Sequence, residues 1–102
     1  MNMQNILKQA QKMQMEMQKA DKELKNKTYS STAGGGAICV EAKGDNTVTK
    51  ITIDEGICNA EDKEMLEDML TIAVNDVFRQ MTEDREAVMS KLTGGAKIPG
   101  AF

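Results

Sequence analysis

The chain has 102 residues, a net charge of −3 and only 3% aromatic residues, which fits one small soluble domain over residues 1–102. It contains no histidine and no tryptophan, so the commonest general acid or base and the commonest metal ligand are both absent. Its charges are segregated, because the first 27 residues hold six lysines against three acids, a local +3, and the rest of the chain therefore sums to −6.

An amphipathic helix is predicted over residues 3–26. Its apolar residues recur every three or four positions and keep a heptad register for three repeats, and neither glycine nor proline interrupts it. This row, called the seam below, consists of Met3, Ile6, Ala10, Met13, Met17, Ala20 and Leu24.

Lysines occupy the side of this helix opposite the seam when residues are projected at 100° each. The pattern fits either an ordinary solvated surface or a basic stripe for polyanions. Met15 falls on the lysine side, and neither reading explains it. The lysines concerned are Lys8, Lys12, Lys19, Lys22 and Lys25.

A three-stranded antiparallel sheet is predicted over residues 28–54. Ile38, Val40 and Ala42 alternate with polar residues, and a turn at 44–46 leads to a third strand with Ile51 and Ile53 on one face and Val48 on the other. The glycines at 34–36 invite comparison with a phosphate loop, but no Lys-Ser or Lys-Thr follows and the next element is a strand. We therefore expect a hairpin connection there.

A second long helix, or a pair of helices, is predicted over residues 60–93. Asn59 is a plausible N-cap, and the acids after it complement the helix dipole. The polar run from Thr82 to Glu86 predicts a break near Thr82. A flexible tail is expected over residues 94–102.

A homodimer is expected because residues between the first helix and the tail form a thin core, near the lower limit for independent stability. The seam needs a cover, either a second copy or the narrow apolar stripe at Val88 and Leu92. The expected dimer interface therefore consists of Ile6, Met13, Met17, Leu24, Val88 and Leu92.

Metal and membrane sites are not expected. Cys39 and Cys58 lie 19 residues apart without a CxxC motif, so we expect reduced, structurally inert thiols and no zinc site. No apolar run approaches the roughly 20 residues that span a bilayer, and no signal-peptide pattern opens the chain, which predicts a cytoplasmic protein without a membrane partner.

The chain resembles the YbaB/EbfC family of nucleoid-associated proteins. The resemblance rests on the Gln/Met/Lys-rich opening over 3–24, the glycines leading into Ile38-Cys39-Val40, the Lys50–Asp54 strand, and two pieces of the second helix at 66–68 and 73–76. The endings Leu92-Thr93-Gly94-Gly95 and Pro99-Gly100 are also similar to the family.

This resemblance implies an α+β fold of order α-β-β-β-α, a homodimer, and protruding helices that grip DNA without catalysis, cofactor or small-molecule substrate. It places the protein at the nucleoid. The family's binding surface lies on its first and last helices, so the corresponding positions are Lys8, Lys12, Lys19, Lys22, Lys25 and Lys91.

Three hypotheses follow. The leading one is a DNA-binding architectural protein whose lysines neutralise phosphates; no Arg/Asn/Gln set on an evident recognition helix argues for base readout, so any sequence preference is expected from DNA shape. The second is a protein-interaction module that uses the Met-rich seam. The third is an enzyme, for which adjacent acids such as Asp54 and Glu55 are the candidate paired carboxylates.

Overall fold

Six elements make up the computed structural model, which describes residues 2–94. They are helix α1 (Met3–Asn26), strands β1 (Thr28–Ala33), β2 (Ile38–Lys43) and β3 (Thr47–Ile53), a 3-10 helix (Glu55–Ile57) and helix α2 (Lys63–Leu92). This order confirms the predicted α+β class. Of the predicted flexible tail, residues 95–102 lie outside the described residues.

The two long helices begin in different ways. At the start of α1 the Asn2 side chain accepts the backbone N–H of Gln4 at 3.0 Å, which satisfies one of the free donors of the first turn. Helix α2 begins three residues later than predicted, because Asn59 caps the preceding turn instead. Its Oδ1 accepts the N–H of Asp62, and its Nδ2 donates to the Asp62 carboxylate, both at 2.8 Å.

Helix α2 is continuous through 30 residues, so the predicted break near Thr82 is wrong. Thr82 directs its hydroxyl to the carbonyl of Phe78 at 3.2 Å, a bond that a helix interior accommodates. The polar run stays helical because two of its side chains make tertiary contacts: Asp84 bonds to β1, and Arg85 bonds to α1.

The sheet has the order β1-β2-β3, and α2 packs against β1 and β2. Ile38, Val40 and Ala42 of β2 are completely buried, as are Ala73 and Val77 of α2. The glycines at 34–36 all have positive φ and join two antiparallel strands, which confirms the hairpin connection.

A bulge in the β2–β3 pairing changes which residues of β3 share a face. Val40 pairs with Ile51 and Ala42 with Val48, so two steps along β2 correspond to three along β3. Cross-strand partners point to the same side, and Val48 therefore lies on the face of Ile51 and Ile53. The prediction that it lies on the opposite face is wrong.

Candidate nucleic-acid interface

The predicted lysines of α1 are all exposed to solvent. On a helical wheel Lys8, Lys12, Lys19 and Lys22 share an arc of about 80°, and Lys25 lies about 60° outside it. Lys25 forms an i,i+4 ion pair with Asp21 at 3.1 Å. The other four make no ion pair with any residue of 2–94, so their charges are available to an external anion.

The C-terminal half of the seam packs within the same chain. Leu24 is buried, Met17 and Ala20 are half-buried, and α1 contacts α2. The cleft between the two helices is lined by Glu16, Lys19, Ala20, Glu23, Val88, Lys91 and Leu92. Of the two covers considered for the seam, the chain's own stripe at Val88 and Leu92 therefore serves this half.

The N-terminal half of the seam is more open. Met3 is 67% exposed and Ile6 is 41% exposed, whereas Met13 is half-buried. The α1–α2 cleft begins at Glu16, so these residues lie on the part of α1 that extends beyond it. The described chain is accordingly long and thin, 70 Å by about 20 Å.

An ion pair fixes α1 against α2. The Arg85 guanidinium lies 2.5 Å from the Asp21 carboxylate, and both side chains are only about one-third exposed. The bond from Arg85, followed by that from Lys25, lowers the pKa of Asp21, because cationic donors favour the charged carboxylate.

A second polar cluster joins α2 to the start of the sheet. Asp84 accepts a bond from the Tyr29 hydroxyl at 2.5 Å and from the Lys27 ammonium at 2.7 Å. The bond from Lys27, then that from Tyr29, lowers the pKa of Asp84, whereas burial, with the Asp84 bond second, raises the pKa of Tyr29 to about 12. Lys27 is therefore engaged in holding the fold.

The last helix adds one basic position to this surface. Lys91 is exposed in the final turn of α2, and it lines the cleft together with Lys19 and Glu16. The structure thus brings Lys19 and Lys91 to the same region, although Glu16 lies beside them. Lys8, Lys12 and Lys19 also surround Met15, which is 70% exposed.

A second exposed apolar surface, at the edge of the sheet, was not predicted from the sequence. Val48 and Ile51 are 38% and 46% exposed, because α2 covers β1 and β2 and leaves the same face of β3 open. Val74 and Phe78 of α2 pack at the edge of the core and are only half-buried. We call these four residues, with Ile53, the β3 face. Its signal was the Ile51/Ile53 alternation, but the bulge that adds Val48 leaves no sequence signature.

Other chemistry is sparse in the part of the chain that the structure describes. Residues 2–94 contain no group of three histidine, cysteine or acidic side chains that could hold a metal ion. Cys39 is half-buried and Cys58 is exposed, and both are free thiols. Among these residues, no helix is long and apolar enough to cross a membrane.

One family model and several relatives match this chain over nearly its whole length. Residues 1–96 match the model described as the YbaB/EbfC DNA-binding family. A nucleoid-associated protein of Clostridium novyi is 42% identical over 102 residues, which covers 100% of this chain and 90% of the relative. One from Acetivibrio thermocellus is 45% identical and covers 99% of this chain and 90% of the relative.

Among solved structures, the chain is similar in fold to an uncharacterized protein from Helicobacter pylori. The two superpose with a TM-score of 0.75 at 24% identity, over 92% of this chain and 99% of the other.

Proposed function

Because the chain belongs to the YbaB/EbfC DNA-binding family, we propose that it binds duplex DNA as a homodimer, through phosphate contacts from the lysines of α1 and without catalysis or a cofactor. We place it at the nucleoid, because its relatives are named nucleoid-associated proteins, and in the cytoplasm, as expected from the sequence. The observation that carries the proposal is a set of four exposed lysines on the solvent side of α1 that make no ion pair within residues 2–94: Lys8, Lys12, Lys19 and Lys22.

Charge segregation supports this use of α1. The first 27 residues carry +3 within a chain of −3, so the body repels DNA while α1 attracts it. Each phosphate neutralised adds about −0.9 to the slope of log K against log salt. With four lysines in each protomer we expect a slope as steep as about −7 for a dimer. Lys25 and Lys91, which have acids beside them, contribute less.

The dimer forms through the β3 face in this proposal. An uncovered apolar sheet face is stabilised by burial, and complete burial of an isoleucine is worth about 2 kcal/mol. A two-fold axis would let the same surface of a second copy cover it. Of the interface residues expected from the sequence, Leu24, Val88 and Leu92 are used inside the chain. Met17 is half-buried in the same half of the seam, which leaves Ile6 and Met13 as a smaller second contact.

Sedimentation tests the dimer. The wild type should sediment at twice the 11.2 kDa of one chain, and Ile51→Lys should sediment as a monomer. Ile72→Lys is the matched control, because Ile72 is 61% exposed but lies about 160° around α2 from Val74. A wild-type monomer at micromolar concentration, or an Ile51→Lys dimer, would contradict the proposed interface.

Charge reversal tests the lysines. Lys12→Glu/Lys19→Glu should abolish gel shifts of a duplex at moderate salt and flatten the salt dependence that remains. Lys43→Glu/Lys63→Glu makes the same change in net charge at exposed positions outside α1 and should bind much more like the wild type. Equal losses in both variants would assign binding to overall charge, and no loss in either would remove α1 from the interface.

A protein-interaction module remains the second candidate, because Met3, Ile6 and Leu7 are exposed at 67%, 41% and 55% near the free end of α1. Such residues favour an apolar partner helix. Absence of any duplex binding by the wild type at low salt would favour this candidate.

A further inference from the structure

A row of glutamines runs along the solvent side of α1, beside the lysines. Gln4, Gln11 and Gln18 are seven residues apart, and with Met15 they occupy an arc of about 60° on the helical wheel. All four residues are exposed. The side-chain amides of the three glutamines make no hydrogen bond within residues 2–94, so their donors and acceptors are free.

The glutamine row faces solvent because the opposite side of α1 is the side that packs. The seam, whose C-terminal half packs against α2, is centred about 140° from the glutamines. The α1–α2 cleft begins at Glu16, so Gln4 and Gln11 lie on the part of α1 that extends past α2. That part is a single helix about 10–12 Å across, and the major groove is about 12 Å wide.

We propose that Gln4 and Gln11 enter the major groove and read A·T base pairs, with Met15 against a thymine methyl group. A glutamine amide pairs with adenine through both the N6 amino group and N7, and apolar side chains contact the thymine methyl. This proposal rests on the proposed duplex-binding function and adds sequence preference to it. The sequence pattern alone gave no evident recognition helix, because it does not show how far α1 extends past α2.

The dimensions of the helix and the groove favour base contacts by two glutamines rather than three. Gln4 and Gln11 are about 10.5 Å apart along the axis, close to three base-pair steps of about 3.4 Å. A straight helix leaves the curving groove beyond such a distance, and α2 flanks α1 at Gln18. Lys8 and Lys12 lie on one side of the row, where they contact the phosphates of one strand and set the register.

Fluorescence anisotropy with three duplexes of equal length tests the proposal. One contains only A·T pairs, one only G·C pairs, and one is the A·T duplex with 7-deazaadenine, which lacks the N7 acceptor but keeps the charge and the minor groove. The wild type should bind the A·T duplex at least about tenfold more tightly than the G·C duplex, and 7-deazaadenine should remove most of this preference.

Two variants and one matched control assign the sequence preference to particular residues. Gln11→Ala should weaken A·T binding at least about fivefold and leave G·C binding unchanged, and Gln4→Ala/Gln11→Ala should bind both duplexes equally. Gln9→Ala, an exposed position about 150° from the row, should behave as the wild type. Alanine favours helix, and circular dichroism verifies that each variant is folded.

The outcomes distinguish base reading by the glutamine row from the proposed binding of duplex DNA. Equal binding of all three duplexes by the wild type, or an A·T preference that survives in Gln4→Ala/Gln11→Ala, would overturn base reading by the row while duplex binding stands. Failure of the wild type to bind any duplex would overturn both.

Discussion

The contact between Tyr29 and Asp84 gives a stability prediction that can be worked from the structure. Tyr29 is 7% exposed, and its hydroxyl donates to Asp84 at 2.5 Å. Tyr29→Phe removes that donor and leaves the carboxylate with Lys27. A hydrogen bond to a charged group contributes about 1.5–3 kcal/mol, but Asp84 is 27% exposed and water replaces part of the bond. We expect a loss of about 1–2 kcal/mol in the free energy of unfolding.

Urea unfolding followed by circular dichroism measures this loss, at one fixed protein concentration because the stability of a dimer depends on it. A double-mutant cycle with Asp84→Asn isolates the pair, and its coupling should be about 1 kcal/mol. Glu83→Gln, which changes an exposed carboxylate one position away, should alter stability by less than about 0.5 kcal/mol. A coupling below about 0.3 kcal/mol would show that this bond does not hold α2 to β1.

Three further predictions concern the fold. A Cβ added at Gly44 would overlap the Leu24 carbonyl oxygen, so Gly44→Ala should lower the urea midpoint by the equivalent of about 1–3 kcal/mol. Hydrogen bonds from Ser31 first, then Arg79 and Gln80, lower the pKa of Asp76 from 3.8 to about 2. The contribution of Asp76 to the free energy of unfolding is therefore complete above about pH 5 and is lost as the pH falls through 3.8 to about 2. Asp76→Asn should accordingly flatten the acid dependence of the urea midpoint. Thr82→Pro should lower the free energy of unfolding by about 3 kcal/mol, because α2 is continuous at this position; thermal or urea unfolding measures this. A much smaller loss would indicate that the helix is interrupted near Thr82, as the sequence pattern predicted.

Local patterns predicted the elements that depend on local chemistry. The three- and four-residue spacing from Met3 to Leu24 gave the bounds of α1, since period and helix propensity agree over its whole length. The alternation around Val40 likewise identified the central strand. The sequence pattern was insufficient where tertiary contacts determine whether a segment is helical. Thr82 and its acidic neighbours are typical of a helix start, but Asp84 and Arg85 stay helical because Tyr29 and Asp21 bind them.

The face of β3 was unpredictable for a different reason. Side chains alternate along a strand, so one extra residue in the pairing exchanges the two faces for every residue beyond it. The bulge between Glu41 and Ala42 does this for Val48. The resulting apolar face is the surface that we propose for the dimer, whereas the sequence pattern predicted an interface made of seam residues of α1 together with Val88 and Leu92.

The lysines of α1 remain the candidate DNA surface whether the dimer forms through the seam or through the β3 face. Its position was inferred from the seam being covered, and any cover, whether a second copy or the chain's own Val88 and Leu92, directs the opposite side of α1 to solvent. The structure uses α2 for the C-terminal half, so the lysines face outward in each protomer before any dimer forms. A monomeric variant such as Ile51→Lys should therefore keep weak binding to duplex DNA, with about half the wild-type salt slope because half as many phosphates are neutralised. A salt titration of that variant checks this, and complete loss of binding would mean that α1 acts only when the dimer sets the distance between its two copies.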